Sequence, residues 1–224
     1  METQNGTLPV REDSSRKTHG LPKKNAAGKP RQTPELSKIA RFFATERPQT
    51  PALVVDLDII ADNYLALRTT LPIAEVFYAV KANPAPEVIT RLVSLGSFFD
   101  VASPAEIELV MGAGAKPQQI SFGNTIKKEV DIAMAYKRGV RLFAFDSESE
   151  LLKLSRSAPG SQVFCRLLMT CEGADWPLSR KFGCEVDMAR DLLIKAKKLG
   201  LQPYGVSFHV GSQQTRTDQW AFAL

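Results

Sequence analysis

The feature that most restricts how this chain can fold is a repeated change of texture. A short apolar run is followed by a longer segment of helical periodicity, and the pattern recurs from residue 52 onward. The runs are Ala52–Val55, Val76–Val80, Ser97–Val101, Gln119–Phe122, Arg141–Phe145, Gln162–Leu168 and Tyr204–Val210. Their length and apolar content predict buried strands. Ile59–Thr69, Pro86–Leu95, Pro104–Gly112, Lys127–Arg138, Ser147–Ser155 and Asp187–Leu199 carry apolar residues at helical spacing and predict helices. Asn83-Pro84 and Ser103-Pro104 supply start signals, and Gly96, Gly139 and Gly200 supply stops. Alternation of this kind predicts an α/β fold with a parallel sheet and right-handed crossovers. No run leads into GxGxxG or GxxxxGK[ST], so a (β/α) barrel is expected rather than a nucleotide-binding open sheet. Without Ala52–Val55 there are six strand–helix units, and the next helix is only begun at Asp218–Leu224. A closed barrel of this type needs eight, so the expectation is an incomplete barrel of about six units in a chain that stops before closure.

The formal charge of +5 would suggest a nucleic-acid partner if it were spread over the fold. It is not: residues 1–48 hold ten Lys/Arg against five Asp/Glu, and the remainder holds 19 of each. The excess lies in a polar segment that cannot bury enough apolar surface to offset its ordering entropy, so residues 1–34 are expected to form a disordered basic tail. The tail has no Phe, Tyr or Trp and no regular repeat, and neither a nucleic-acid nor a membrane partner is expected for it. Residues 35–46 place Leu36, Ile39, Ala40 and Phe43 at helical spacing before Pro48 and Pro51 interrupt the chain. No apolar run reaches the ~18 residues needed to span a bilayer, and the N-terminus lacks the apolar stretch of a secretory signal. Cys165, Cys171 and Cys184 form no CxxC pair and no zinc spacing, so no metal site is expected. The reading is of reduced thiols in a cytoplasmic protein.

Barrel enzymes carry their chemistry at the C-terminal ends of the strands. Here Lys81, Asp100, Asp146, Arg166 and His209 each fall in or just after a predicted strand, so five of six strands deliver an ionisable group to one rim. Strand alternation puts Phe77, Ala79 and Lys81 on one face and Tyr78, Val80 and Ala82 on the other. Gly205, Ser207 and His209 likewise oppose Val206, Phe208 and Val210. The small residues Ala79, Gly205 and Ser207 would then line the interior and leave space for a ligand. Lys81 in that cavity has two readings: a buried ion pair with Asp100, or an amine poised for Schiff-base chemistry. His209 could satisfy a core hydrogen bond or serve the site, and Gly211-Ser212 after it resembles a phosphate nest.

These residues resemble the ornithine/diaminopimelate/arginine decarboxylases, the fold-type III pyridoxal-phosphate enzymes. Phe77-Tyr78-Ala79-Val80-Lys81-Ala82-Asn83 resembles the family's cofactor-lysine strand, and Phe99-Asp100-Val101-Ala102-Ser103 with Glu106 its second strand end. Ile120–Lys127 resembles the third, Phe145-Asp146-Ser147 the fourth, Ser207–Gln213 the sixth, and Ser179-Arg180-Lys181-Phe182-Gly183 a loop before a helix. The resemblance runs from about Thr50 to the last residue.

It implies an alanine-racemase-like (β/α) barrel over residues 35–224 that binds pyridoxal 5'-phosphate, with a C-terminal β domain absent from this chain. It also implies that Ala52–Val55 is a strand pairing with that domain. By resemblance, Lys81 is the Schiff-base lysine, His209 stacks on the pyridine ring, and Ser212 binds the phosphate. Asp100, Glu106 and Arg166 form a polar network around them. Lys181 falls where the family has an ion-pair residue at a homodimer interface. The implied reaction is decarboxylation of L-ornithine or L-lysine to a diamine. The alternatives are a diaminopimelate decarboxylase and a non-enzymatic, antizyme-inhibitor-like binding protein. The family's Gly-rich phosphate loop, its acidic partner for the pyridine nitrogen and its catalytic cysteine have no match here, so the chain alone is expected to be inactive or nearly so.

Overall fold

The structure, a computed structural model, describes residues 34–169, 174–176 and 181–224. The expected disordered tail lies outside the described residues, apart from Pro34. The described residues fall into two units that divide between Val54 and Val55. In the first, helix α1 spans Pro34–Glu46, as its spacing predicts. Ala52–Val55 forms no strand, and Leu53 is 89% exposed. Four apolar residues read as a strand only if a partner covers them, and none does among the described residues.

The second unit holds a six-stranded parallel sheet. Its strands are β1 (Phe77–Ala79), β2 (Phe98–Val101), β3 (Ile120–Phe122), β4 (Leu142–Phe145), β5 (Gln162–Arg166) and β7 (Gln202–Ser207). They lie side by side in chain order, as successive right-handed crossovers require. The helices are α2 (Leu57–Thr70), α3 (Pro86–Ser94), α4 (Pro104–Gly112), α5 (Glu129–Lys137), α6 (Glu148–Ser157), α7 (Val186–Lys198) and α8 (Asp218–Ala223). Two further short strands, β6 (Ala174–Trp176) and β8 (Ser212–Gln214), pair antiparallel away from the main sheet. At three residues each they are too short to give a strand signal in the sequence.

Local chemistry starts the helices where expected. The Asp56 carboxylate accepts from the Asp58 amide at 2.9 Å ahead of α2. Ser103 and Ser147 accept from the amides of Glu106 and Glu150 ahead of α4 and α6, and Pro104 occupies the first turn of α4. Each cap satisfies a donor that a helix N-terminus otherwise leaves without a partner.

The sheet's two faces differ. Phe99 and Val101, Ile120 and Phe122, Phe143 and Phe145, and Val163 and Cys165 are fully buried in one core. That core also takes in Val88, Ile89 and Leu92 of α3, Ile107 and Val110 of α4, Ile132 of α5, Leu151 and Leu154 of α6, and Leu192 of α7. Each large side chain buried there contributes roughly 1.5–3 kcal/mol. The alternate residues Phe77, Ala79, Asp100, Ser121, Leu142 and Phe164 line a cavity of about 480 Å³ with Gly205. Ala79 and Gly205 line this space as parity predicts, but Ser207 does not, and Val206, expected on the opposite face, does. Its walls also carry Phe77, Leu142 and Phe164, so the interior is only partly lined by small residues.

Candidate active site

The first strand is shorter than its apolar run. β1 ends at Ala79, and Val80–Ala82 form a single 3-10 turn anchored by fully buried Val80. The Tyr78 hydroxyl donates to the Asn83 carbonyl at 3.2 Å, and Asn83 Oδ1 accepts from the Ala85 amide at 3.0 Å, which pins the turn from below. Lys81 therefore leaves the sheet from a turn, where strand alternation no longer governs its direction. Its side chain is exposed and does not line the 480 Å³ cavity. This corrects the expectation of an amine enclosed within the barrel.

Lys81 nevertheless stands within electrostatic reach of both Asp100 and His209. Asp100 occupies the register position beside Ala79 on one side and Ser121 on the other. Burial pushes its carboxyl up to about 6, the Lys81 charge works against that rise, and Glu106 adds to it. The carboxylate lies beside Ser121 and against Gly123, where a Cβ would meet Asp100 Oδ1 at 1.9 Å, and both neighbours favour its ionised form. Glu106 is tied to the same corner, since its Oε2 accepts from the Ala102 amide at 2.7 Å.

Across the sheet, Arg166 is the last residue of β5, in register with Ser207, and its guanidinium lies 5.2 Å from the Phe182 ring centroid. His209 follows the end of β7, and its Nδ1 accepts from the Gly211 amide at 2.9 Å. An acceptor at Nδ1 implies a neutral ring with its proton on Nε2. Burial lowers the His209 pKa, and the charges of Arg166 and Lys81 lower it further. Ser212 opens β8 and shares a second cavity with His209, Gly211 and Trp220. Gly211 has φ of 97°, which favours glycine.

The structure thus links Lys81, Asp100, Glu106, Arg166 and His209 through their charges and places Ser212 beside His209 in a separate cavity. Asp146, the fifth member of the ionisable rim, has a structural partner: its Oδ2 accepts from the Gly183 amide at 2.9 Å. Gly183 has φ of 96°, and a Cβ there would meet the Leu167 carbonyl at 2.7 Å. Lys181 is exposed, while Ser179 and Arg180 lie outside the described residues. Cys165 and Cys184 are buried free thiols with sulfurs 3.5 Å apart, and burial raises both pKa values. Cys171 lies outside the described residues.

Sequence reasoning missed two groups. Ser121 is a buried hydroxyl between Ile120 and Phe122, visible in the sequence only as a polar residue at an interior-facing position. Lys127 is 4% exposed and donates to the carbonyls of Asn124 at 2.7 Å and Ala144 at 2.6 Å. Its ion-pair partner is Glu150, 3.0 Å away and equally buried.

A run of parallel strands with outer helices, presenting a lysine, a carboxylate, an arginine and a histidine at one rim, defines a (β/α)-barrel segment with a polar site at the strand ends. The chain belongs to the pyridoxal-dependent decarboxylases: residues 57–224 match that family's pyridoxal binding domain, whose cofactor is pyridoxal phosphate. It is 41% identical over 179 residues to a lysine/ornithine decarboxylase of Selenomonas ruminantium, covering 80% of this chain and 46% of that protein. It is 39% identical over 171 residues to antizyme inhibitor 2 of Xenopus laevis, covering 76% of this chain and 37% of that protein. The crystal structure of an SrLDC mutant in complex with PLP superposes with a TM-score of 0.77 at 39% identity, covering 85% of this chain and 49% of that one. The chain therefore spans less than half the length of these relatives.

Proposed function

We propose that this chain is the cofactor-binding part of an amino-acid decarboxylase that acts on L-ornithine or L-lysine and releases a diamine. The observation that carries the reading is the convergence of Lys81, Asp100, Arg166 and His209 at the C-terminal rim. The residues present suit pyridoxal phosphate: an amine for the aldehyde, a neutral aromatic ring, cations, and a hydroxyl next to a positive-φ glycine for a phosphate. When bound, that cofactor supplies an electron sink for the bond to the carboxylate.

The roles follow from the chemistry of each side chain. Lys81 is the attachment point. Asp100 places negative charge opposite the lysine nitrogen, with Glu106 beside it. His209 offers an uncharged ring face. Arg166 adds positive charge near the ring, and Ser212 with the Gly211 turn receives the phosphate. Further barrel units and a β domain complete the enzyme in this reading. A homodimer with Lys181 near its interface, a cytoplasmic location and a place in polyamine biosynthesis, with putrescine as the product from ornithine, belong to the same proposal. The name of the Selenomonas relative supports the ornithine/lysine branch over diaminopimelate.

A second reading, a non-catalytic binding protein, is favoured by the likeness to antizyme inhibitor 2. Lys81, His209 and Ser212 together favour the enzyme. The test offers ornithine, lysine and diaminopimelate to the full gene product with pyridoxal phosphate and measures carbon dioxide release. Turnover of ornithine or lysine that is lost in Lys81→Ala is expected. Turnover of diaminopimelate alone would overturn the branch, and no turnover of any of the three would favour the binding protein.

A further inference from the structure

We propose that Lys127 is a positioning residue of the site: its buried ammonium staples the loop after β3 so that Gly123 backs the Asp100 carboxylate. The inference deepens the proposed function, and rests on it only for the cofactor that Lys81 and Asp100 would serve. The loop covers residues 123–128, between the end of β3 and the start of α5. Its first residue stands hard against the site. The Gly123 amide donates to the Val101 carbonyl at 3.1 Å, and a Cβ on Gly123 would meet Asp100 Oδ1 at 1.9 Å and Cγ at 2.7 Å. The carboxylate therefore lies flush with the Gly123 backbone, and any shift of the loop moves the wall behind it.

The Lys127 side chain, four residues further on, has no exposed surface. An ammonium has three donors, and here each finds an acceptor: the Asn124 carbonyl at 2.7 Å, the Ala144 carbonyl at 2.6 Å and the Glu150 carboxylate at 3.0 Å. Neutralising the charge would need Glu150 alone. The two carbonyls make the side chain a three-way tie between the loop, the end of β4 and α6. The turn is closed from both ends, because Lys153 donates to the Lys127 carbonyl and the Asn124 side-chain amide donates to the Ile126 carbonyl at 2.6 Å. Without the Lys127 amine, the Asn124 carbonyl loses its donor away from water, and the loop must turn to satisfy it. That turn takes Gly123 away from Asp100.

The test separates positioning from simple stabilisation. The full gene product is compared as wild type, Glu150→Gln, and the double variant Lys127→Met with Glu150→Leu. Urea unfolding reads stability, hydrogen exchange over residues 120–128 reads loop closure, and titration with pyridoxal phosphate reads cofactor affinity. Glu150→Gln leaves the Lys127 amine buried without its counter-charge, which destabilises the fold. The amine can still donate to both carbonyls after losing a proton, so loop protection and cofactor affinity should be kept. The double variant removes both charges and should regain stability. It also removes the staple, so exchange in the loop should speed up. Its cofactor affinity should fall roughly tenfold, as expected when a site residue loses its outer support. Stability and affinity thus rank the two variants in opposite orders. If the double variant does not fold, Lys127→Gln, which leaves Glu150 paired with Lys153, gives the same comparison.

Loop protection and affinity that simply follow stability across the variants would overturn the proposal. So would a stable double variant with unchanged loop protection, or one that binds the cofactor as tightly as the wild type. Wild-type protein that binds no pyridoxal phosphate, with loop protection still lost in the double variant, would refute the cofactor reading. The staple between Lys127 and the loop would stand.

Discussion

Asp100 shows how a site residue can weaken the fold that holds it. Its carboxyl sits at about 6 rather than at an ordinary aspartate value, chiefly because burial opposes its charge. Below about pH 4 the group is protonated in folded and unfolded chains alike. As pH rises from about 4 to about 6 the unfolded chain ionises first, so stability falls across that window and stays lower above it. Asp100→Asn should therefore stabilise residues 1–224 at pH 8 by about 1–3 kcal/mol and change little at pH 4, as read by urea unfolding at the two values. The same variant should weaken pyridoxal phosphate attachment, a trade between stability and function common at sites of this kind. Asp100, Arg166 and His209 were legible in the sequence because polar residues that end apolar runs stand out. Lys81 was legible by position but not by direction. Val80 and Ala82 continue the apolar character of the run, and nothing in them signals that the strand gives way to a 3-10 turn. Ser121 was hidden because a single hydroxyl in a short strand carries no meaning until its cross-strand neighbour is known.

At the scale of elements, the rim is held by a buried polar cross-link. Lys127 bonds the loop after β3 to the Ala144 carbonyl of β4 and pairs with Glu150 on α6, which also pairs with Lys153 at 2.5 Å. Burial pulls the Lys127 pKa down to about 8, and Glu150 opposes that fall. Removing one partner of such a pair leaves an uncompensated charge in the interior, at a cost of about 3–5 kcal/mol. Glu150→Gln should lose stability of this order in urea unfolding at pH 7, while the double replacement Lys127→Met with Glu150→Leu should recover much of it. An unchanged Glu150→Gln protein would show that the pair is dispensable. Helices α2 to α7 were readable within about two residues because caps and periodicity agree. Glu150 drew no notice in the sequence, because a glutamate in the first turn of a helix carries no sign that its side chain is buried. The strands came out shorter than their apolar runs, and Ala52–Val55 was no strand at all, because hydrophobicity marks burial potential while pairing decides strand limits.

At the scale of the whole molecule, β1 and β7 each have a strand neighbour on one side only among the described residues. Tyr204 and Val206 of β7 and Trp220 and Phe222 of α8 are all more than half exposed. Unpaired strand edges bearing apolar side chains favour association. Residues 1–224 expressed alone should therefore self-associate in a concentration-dependent way. Light scattering after gel filtration checks this, and Val206→Lys should shift the distribution toward monomer. Under the proposed function, the turn after β1 presents the lysine that holds pyridoxal phosphate. Its most direct test is to incubate residues 1–224 with pyridoxal phosphate, reduce with borohydride and map the modified peptides. Label is expected to concentrate on the peptide containing Lys81 and to be lost in Lys81→Ala. Label spread evenly over exposed lysines, or unchanged in Lys81→Ala, would contradict it.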